Sequence, residues 1–408
     1  MNILFLTNDL YPYQNANSEI AYRIAHEISK YEDCHVSILG FNRSVDTVFP
    51  DPFKDIETIR MGAVTEYMHI VMTAPNAVKR ILNLLQYPKS FRCYWRARKG
   101  DKYWLAKEYR REILDILRRK QVDCIIAFSA PVDTLLALSG LDCSIHRIAY
   151  MLDPWSSHYK NADDPGVREL EARVEAKMDR MITLEMFKRD YQIHADAETL
   201  KKIVTVEFPN VMEHAPQKKI AGFDDGRIHC VFAGALYHDI RKPDYMVNLF
   251  GKLRDKGIVL HLMGIQYGGS LLPDPLPENI VYHGKLPSDE AMQYMQSAHI
   301  LVNIGNTILN QMPSKLLTYI SFGKPILNIV KSRNCPTLKF TENYPLALDI
   351  LETVELREED YAMAETFILQ NASKNIPFET IKDLYRECTP EYVGHKVYDT
   401  LCEVIQSK

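Results

Sequence analysis

Two basic stretches stand where strands should end, and both could hold an anion. The first is NQMPSKLLTYISFGKPI, residues 310–326. It reads as a turn, one short apolar helix and an abrupt stop. Pro313 suits the first helical position, Ser314 offers a hydroxyl and an amide, and Lys315 puts a cation in the first turn. A lysine is unfavourable at a helix start unless an anion offsets it, because that end already carries partial positive charge. Thr318 lies one turn further in, Gly323 supplies a left-handed stop and Pro325 blocks continuation.

The second stretch is FAGALYHDIRKPDY, residues 232–245. A strand ends at Gly234, and the chain reaches Arg241, Lys242 and Pro243 before a helix. Either stretch alone reads as an ordinary solvated loop. Two in one domain point to a diphosphate, with Arg241 offering a bidentate fork to its oxygens. No Asp-x-Asp pair occurs in the chain. This favours neutralisation by arginine, lysine and helix ends over a bound divalent ion, the alternative being a metal site assembled from separated carboxylates.

The elements that would position these groups are legible as alternating strands and helices. ILFLT (3–7) is a short apolar run bounded by Asn8 and Asp9, which fits a buried parallel strand. Ser18 sits where a helix cap is expected, ahead of a segment with Ile20, Ile24 and Ile28 on one face. Further strands are expected at 35–40, 123–129, 146–152, 180–185 and 203–210. Residues 211–226 read as a polar linker. A second series of strands follows at 227–234, 258–264, 280–286, 300–305 and 325–330, and Glu391–Ile405 is the last helix. The expected architecture is α/β, with two Rossmann-like doubly wound domains. The boundaries are 1–210, a linker at 211–226, 227–385, and a C-terminal helical segment at 386–408 that packs back on the first domain.

Composition excludes several classes. The 408 residues carry a net charge of −4, which argues against general nucleic-acid binding. The eight cysteines include no Cys-x-x-Cys pair, so they read as reduced core residues in a cytoplasmic setting. The first residues lack the pattern of a signal peptide, and no window of about 18 apolar residues suits a membrane span. No Gly-x-Gly-x-x-Gly follows the first strand of either domain, which argues against a dinucleotide dehydrogenase. Charge is unevenly placed, however. Residues 79–120 hold fourteen basic and four acidic side chains, and within 87–111 they interleave with Tyr, Phe and Trp. That pattern fits attachment to an anionic membrane surface, with rings at headgroup level. A solvated helix face is the competing reading.

The N-terminal ILFLTNDLYPYQNANSEIAYRIAHEIS, with FAGALYHDIRKP, LHLMG, VYHGKLP and MPSKLLTYISFGKPI of the second half, resembles the GT-B-fold nucleotide-sugar-dependent glycosyltransferases. Among these the chain is most similar to the family 4, or group 1, transferases of surface-polysaccharide biosynthesis. Residues 42–120 match poorly. The resemblance implies a nucleotide-diphospho-sugar as co-substrate, held by the second domain, with no other cofactor. It implies a glycan or lipid-linked acceptor on the first domain, chemistry in the cleft between them, and retaining transfer without a metal.

Carried over by position, Arg241 and Lys242 would bind the donor diphosphate near Gly234. Gly284, Lys285 and Leu286 would meet the base, and Pro313, Ser314 and Lys315 would lie beside the phosphates. Asn15, Asn17 and Ser18 would face the sugar or acceptor. Asp153, in YMLDPWSSH, would orient or deprotonate an acceptor hydroxyl, with Trp155 and His158 beside it. A capping aspartate before Pro154 is the plainer reading of that residue. Two glutamates separated by seven residues are usual in the family. Here Asn310 and Thr318 hold those positions, so contacts to ribose or sugar hydroxyls would be made without charge. The alternatives are a GT-B-fold nucleotide-sugar epimerase and a non-catalytic relative that binds nucleotide-sugar. A lipid-linked acceptor would suit a protein peripheral on the inner membrane face.

Overall fold

The computed structural model describes residues 1–406 apart from 12–15, 43–52, 54, 75, 130–131, 157–160 and 162–163. The chain divides into two compact units: Met1–Pro209 with Pro390–Lys408, and Asn210–Thr389.

In unit 1 the described strands are β1 (Asn2–Asp9), β2 (His35–Phe41), β3 (Glu57–Arg60), β4 (Cys124–Phe128), β5 (His146–Met151), β6 (Arg180–Leu184) and β7 (Ile203–Val206). They form a parallel sheet in the order β3-β2-β1-β4-β5-β6-β7. Its helices are α1 (Ala16–Ser29), α2 (Gly62–Thr73), α3 (Ala77–Leu85), α4 (Pro88–Arg98), α5 (Trp104–Arg119), α6 (Val132–Ser139), α7 (Pro165–Glu175), α8 (Lys188–His194) and α9 (Ala197–Lys201). CIIAF in β4 is buried throughout, as expected for a central strand covered on both faces. The chain's last helix closes against α1 in the same unit. Gly394 lies so close to Glu27 that a Cβ there would fall 2.4 Å from the Glu27 Cβ, and Tyr31 stacks on Tyr398 at 3.7 Å.

In unit 2 the described strands are β8 (Ile228–Ala233), β9 (Leu236–Tyr237), β10 (Ile258–Met263), β11 (Gln266–Tyr267), β12 (Ile280–Tyr282), β13 (Ile300–Ile304), β14 (Ile326–Val330) and β15 (Ala347–Leu351). The main sheet is parallel, in the order β12-β10-β8-β13-β14-β15, and β9 pairs with β11 at its rim. The helices are α10 (Asp244–Lys252), α11 (Ser288–Ser297), α12 (Lys315–Ser321), α13 (Leu338–Thr341), α14 (Glu358–Asn371) and α15 (Phe378–Leu384). The last helix of the chain, α16 (Pro390–Gln406), belongs to unit 1.

Two expectations are corrected. The run 280–286 is strand only to Tyr282, because Gly284 turns with φ 69°. Ser18 does not cap α1, which begins two residues earlier. Its hydroxyl instead accepts hydrogen bonds from Thr7 Oγ1 at 2.9 Å and from the Asp9 amide at 3.1 Å, tying the helix to the end of β1.

Candidate functional site

In unit 2 the strand order reverses between β8 and β13. Ligands of open parallel sheets bind outside the carboxyl ends of the strands at such a point. Glycines follow the strands here: Gly234 after β8, Gly264 after β10 and Gly305 after β13. Gly264 has φ 143°, and a Cβ on it would lie 2.0 Å from the Gly234 carbonyl oxygen. Its amide donates to the Gly284 carbonyl at 2.8 Å. The strand ends therefore approach one another too closely for any larger residue at 264.

Arg241 occupies the reversal point. Its Nε donates to Asn306 Oδ1 at 2.9 Å and its Nη1 to the Ala235 carbonyl at 3.2 Å. Among the described residues Nη2 has no hydrogen-bond partner and no carboxylate pairs with the guanidinium. Burial lowers its pKa from the usual arginine value. Arg241 is half-buried, and a partly desolvated cation without a counter-charge favours an anion arriving beside it.

The loop that holds Arg241 is stapled to the loop after β13. The Thr307 amide donates to the Ile240 carbonyl at 2.9 Å and its hydroxyl to the Asp239 carbonyl at 3.2 Å. Asn306 completes the set by donating from Nδ2 to the Gln311 carbonyl at 2.8 Å. Below them, the Ala233 amide donates to Tyr319 Oη at 2.8 Å, and that hydroxyl donates back to the Ala233 carbonyl at 3.3 Å. Sequence reasoning missed Asn306 and Tyr319. Asn306 directly follows the strand-ending Gly305, which is a signal; Tyr319 sits in an apolar run and gives none.

The remaining donor-side candidates fall out as follows. Lys242, Lys285 and Lys315 are exposed, and Gly234, Gly284, Leu286, Asn310, Ser314 and Thr318 are half-buried. Pro313 is buried but is not the first helical residue: α12 starts at Lys315, after a tight turn in which the Leu316 amide bonds the Pro313 carbonyl at 3.0 Å. The Ser314 side chain does not cap the helix, and its carbonyl accepts from Asn210 Nδ2 at 3.3 Å. The Thr318 hydroxyl has no hydrogen-bond partner among the described residues.

In unit 1 the strand order reverses between β1 and β4. Asn15 and His158 lie outside the described residues. Asn17 is half-buried at the start of α1, whereas Ser18 is fully buried and bonded to β1, which removes it from any acceptor loop. Asp153 follows β5, half-buried, with its amide donating to Ser129 Oγ at 3.3 Å. No helix starts at Pro154, so Asp153 is not a helix cap. Trp155 offers no stacking face: its ring is buried and its indole N–H donates to the Ser129 carbonyl at 3.3 Å. The Trp155 and Ser156 amides both donate to the buried Glu171 carboxylate, at 2.6 Å and 3.2 Å, and burial raises its pKa. Glu171 thereby shapes the loop that carries Asp153.

The basic stretch also resolves into two groups. Arg92, Arg96 and Arg111 converge on the fully buried carboxylate of Glu108, with N–O distances of 2.9, 2.7 and 3.1 Å. Other cations of α3, α4 and the residue after it remain at the surface: Lys79, Lys89, Arg98 and Lys99 are exposed. Exposed beside them are Val78, Leu82, Leu85, Tyr87 and Trp95, and Lys99 Nζ lies 5.2 Å over the Trp95 ring.

No protein-family model matches the chain, and no curated protein matches it. Solved structures do match, along nearly the whole length. The lipopolysaccharide outer core galactosyltransferase WaaB in its apo form is 12% identical, with a TM-score of 0.53 and 99% of each chain covered. A variant of TarM from S. aureus, in complex with fondaparinux, α-GlcNAc-glycerol and UDP, is 10% identical, with a TM-score of 0.59 and 100% of each chain covered. A Listeria monocytogenes protein assigned as a UDP-N-acetylglucosamine 2-epimerase is 9% identical, with a TM-score of 0.56 and coverage of 100% of this chain and 97% of that one. At these identities the likeness is one of fold. The chain has the GT-B fold of nucleotide-sugar-dependent glycosyltransferases, two Rossmann-like domains each built on a parallel sheet.

Proposed function

We propose that the protein is a glycosyltransferase that moves a sugar from a nucleotide-diphospho-sugar to a glycan or lipid-linked glycan acceptor, with retention and without a metal. The observation that carries this reading is Arg241, a half-buried guanidinium with no carboxylate partner among the described residues, held between the loops after β8 and β13 at the strand reversal of unit 2. The diphosphate gains charge as the sugar departs. A fixed cation beside it stabilises the transition state more than the bound donor. Lys242 and Lys315 are the exposed cations proposed to join it, and Thr318, with its unused hydroxyl, is proposed to meet a donor hydroxyl. Gly284, Lys285 and Leu286 are proposed to meet the base, and Asp153 of unit 1 to orient the acceptor.

The likeness to glycosyltransferases of known structure supports the reading, as does the TarM complex that contains UDP. One experiment tests it. The protein is incubated with a panel of nucleotide-sugars and candidate acceptors, and the products are followed by NMR. Transfer with retained anomeric configuration is expected. Epimerised donor without transfer would establish the epimerase reading, and no turnover with any donor would leave only a binding protein.

A membrane-surface partner is proposed for α3 and α4. Val78, Leu82 and Leu85 are spaced i, i+4, i+7 and are exposed by 67%, 55% and 59%. That spacing makes one apolar stripe facing outward, flanked by cations. Among the described residues no helix is long and apolar enough to cross a membrane, so attachment would be at the surface.

A further inference from the structure

A row of hydrogen-bonded rings crosses unit 2 and ends at the loop proposed above to meet the base. Asp225 Oδ1 lies 3.1 Å from His229 Nε2. His229 Nδ1 lies 3.0 Å from His261 Nε2, and His261 Nδ1 lies 3.0 Å from His283 Nε2. The strand register builds this row. His261 pairs across the sheet with Val231 and Val281, each two residues beyond or before the next histidine of the row. Each step thus moves two residues toward the carboxyl end and stays on one face of the sheet. Phe223 stacks on His229 at 4.1 Å, and Tyr294 of α11 lies over His261 and His283 at 5.8 Å and 4.7 Å. His229 and His261 are buried, 2% and 8% exposed.

The tautomers follow from the chain end. Arg227, bonded to Asp225, holds its carboxyl well below the usual carboxylate range, so Asp225 only accepts. His229 must then carry its proton on Nε2 and accept at Nδ1. His261 must donate from Nε2 and accept at Nδ1, and His283 must donate from Nε2. The one nitrogen left over is His283 Nδ1, which has no partner among the described residues and is an acceptor. His283 immediately precedes Gly284, whose carbonyl receives the Gly264 amide.

One added proton reverses the whole row without breaking it. The arrangement that keeps every bond has both His229 nitrogens donating, Nε2 to the Asp225 carboxylate and Nδ1 to His261 Nε2. His261 and His283 then carry their protons on Nδ1 and accept at Nε2. Three N–H groups become four, every bond in the row is kept, and His283 Nδ1 turns from acceptor to donor. Burial and the adjoining imidazoles push His261 down to about 4, and burial lowers His283, so neither ring is where the charge settles. The other charged and titratable groups facing the row are Glu290 of α11 toward His283, His299 at the start of β13 with Lys324 beside it, and Asp224 next to Asp225. His299 accepts the His229 amide at Nδ1, 3.0 Å.

We propose that Asp225, His229, His261 and His283 form a proton relay that fixes whether His283 Nδ1 accepts or donates a hydrogen bond beside Gly284, which makes His283 a specificity-determining residue for the nucleotide base. The base-reading part rests on the donor site proposed above; the relay does not. At neutral pH the acceptor suits an imide N–H, as a pyrimidine dione presents. After proton uptake the same position repels it.

The relay is tested on the whole chain labelled with 15N-histidine, without ligand. Long-range 1H–15N spectra distinguish protonated from unprotonated ring nitrogens, and single His→Gln variants assign the rings. At pH 8 His283 is expected to be unprotonated at Nδ1 and protonated at Nε2. As pH is lowered, the row should take up one proton, and His261 and His283 should invert together. Asp225→Asn keeps an oxygen for His229 but removes the charge, so the pH 8 pattern should persist and the inversion should move lower by about one pH unit. A mixed or Nδ1-protonated His283 at pH 8, or three rings titrating independently, overturns the relay.

Base reading is tested by calorimetry with uridine diphosphate across the same range. Affinity should fall roughly tenfold through the inversion, the loss of one well-placed hydrogen bond. His283→Gln has no titrating ring and reports the protonation of the phosphate alone. Equal pH dependence in wild type and His283→Gln overturns base reading. Failure to bind uridine diphosphate at any pH overturns base reading alone, since the panel of nucleotide-sugars decides the donor site and the ring spectra, recorded without ligand, decide the relay.

Discussion

Arg241 donates from Nε to Asn306 Oδ1 at 2.9 Å, and this bond joins the loop after β8 to the loop after β13. It fixes the guanidinium at the point where the strand order reverses. Arg241→Ala removes the cation proposed to stabilise the leaving diphosphate. The expected result is at least a tenfold fall in kcat/KM for the donor, about 1.4 kcal/mol or more of transition-state stabilisation. Nucleoside diphosphate should also cease to raise Tm. Asn306→Asp is the sharper variant. It gives the arginine a carboxylate, so the fold should hold while nucleotide binding weakens. Unchanged turnover in Arg241→Ala would show that the diphosphate is held elsewhere.

The central strands of both units were readable because they are buried on both faces and therefore largely apolar, as in CIIAF and, but for His261, IVLHLM. Edge strand β3, ETIR, is largely exposed and carries no such run, so nothing in the sequence announced it. The basic residues of the site were legible from their place after strands. Their partners were not. Asn306 and Tyr319 become neighbours of Arg241 and β8 only through contacts 65 and 86 residues apart. Ser18 misled because a serine before an apolar helix has the same pattern whether it caps its own helix or bonds to a neighbouring strand. The histidine row is spread over β8, β10 and the residue after β12, and only the parallel register aligns it.

Glu108 is fully buried between Arg92, Arg96 and Arg111, which join α4 to α5. Glu108→Ala leaves three guanidinium groups facing one another. Each is more than a third exposed and can turn to solvent, which places the cost at the low end for a broken buried pair, about 3 kcal/mol. Denaturant unfolding followed by a probe in unit 1 should show this as a lower midpoint. A midpoint unchanged from wild type would mean the arginines gain as much from water as from Glu108.

The two units should respond to pH with opposite sign. In unit 2, His261 is pushed down to about 4, and His283 and His299 are lowered in the same direction, mainly by burial. The unfolded chain then binds more protons than the folded one, so stability is full above about pH 6.5 and falls as pH drops toward 4. His261 alone accounts for on the order of 3 kcal/mol. In unit 1, burial and the neighbouring Glu171 push Glu175 up to about 7. The folded chain binds more protons there, so stability is full below about pH 4.5 and falls as pH rises through 7. Hydrogen exchange at pH 5 and pH 7.5 should find unit 2 protected more at the higher pH and unit 1 more at the lower. Parallel changes in the two units would contradict these shifts.

The exposed stripe of α3 sets the last expectation. Val78, Leu82 and Leu85 face outward, while Leu84 alone of that helix is buried. The internal pairing of Arg92, Arg96 and Arg111 with Glu108 means that these three contribute shape to the face and little free charge. The cations available to a surface are Lys79, Lys89, Arg98 and Lys99, each worth roughly 1 kcal/mol near an anionic bilayer. Sedimentation with anionic phosphatidylglycerol vesicles should therefore pull the protein down, and neutral phosphatidylcholine vesicles should not. Replacing Lys79 and Lys89 by alanine should weaken binding and flatten its salt dependence. Leu82→Asp should weaken it at every salt concentration, because the loss is of apolar burial. Since Leu82 is exposed, neither change should lower Tm. Binding that is indifferent to both, or absent from anionic vesicles, would mean that the stripe faces something other than lipid.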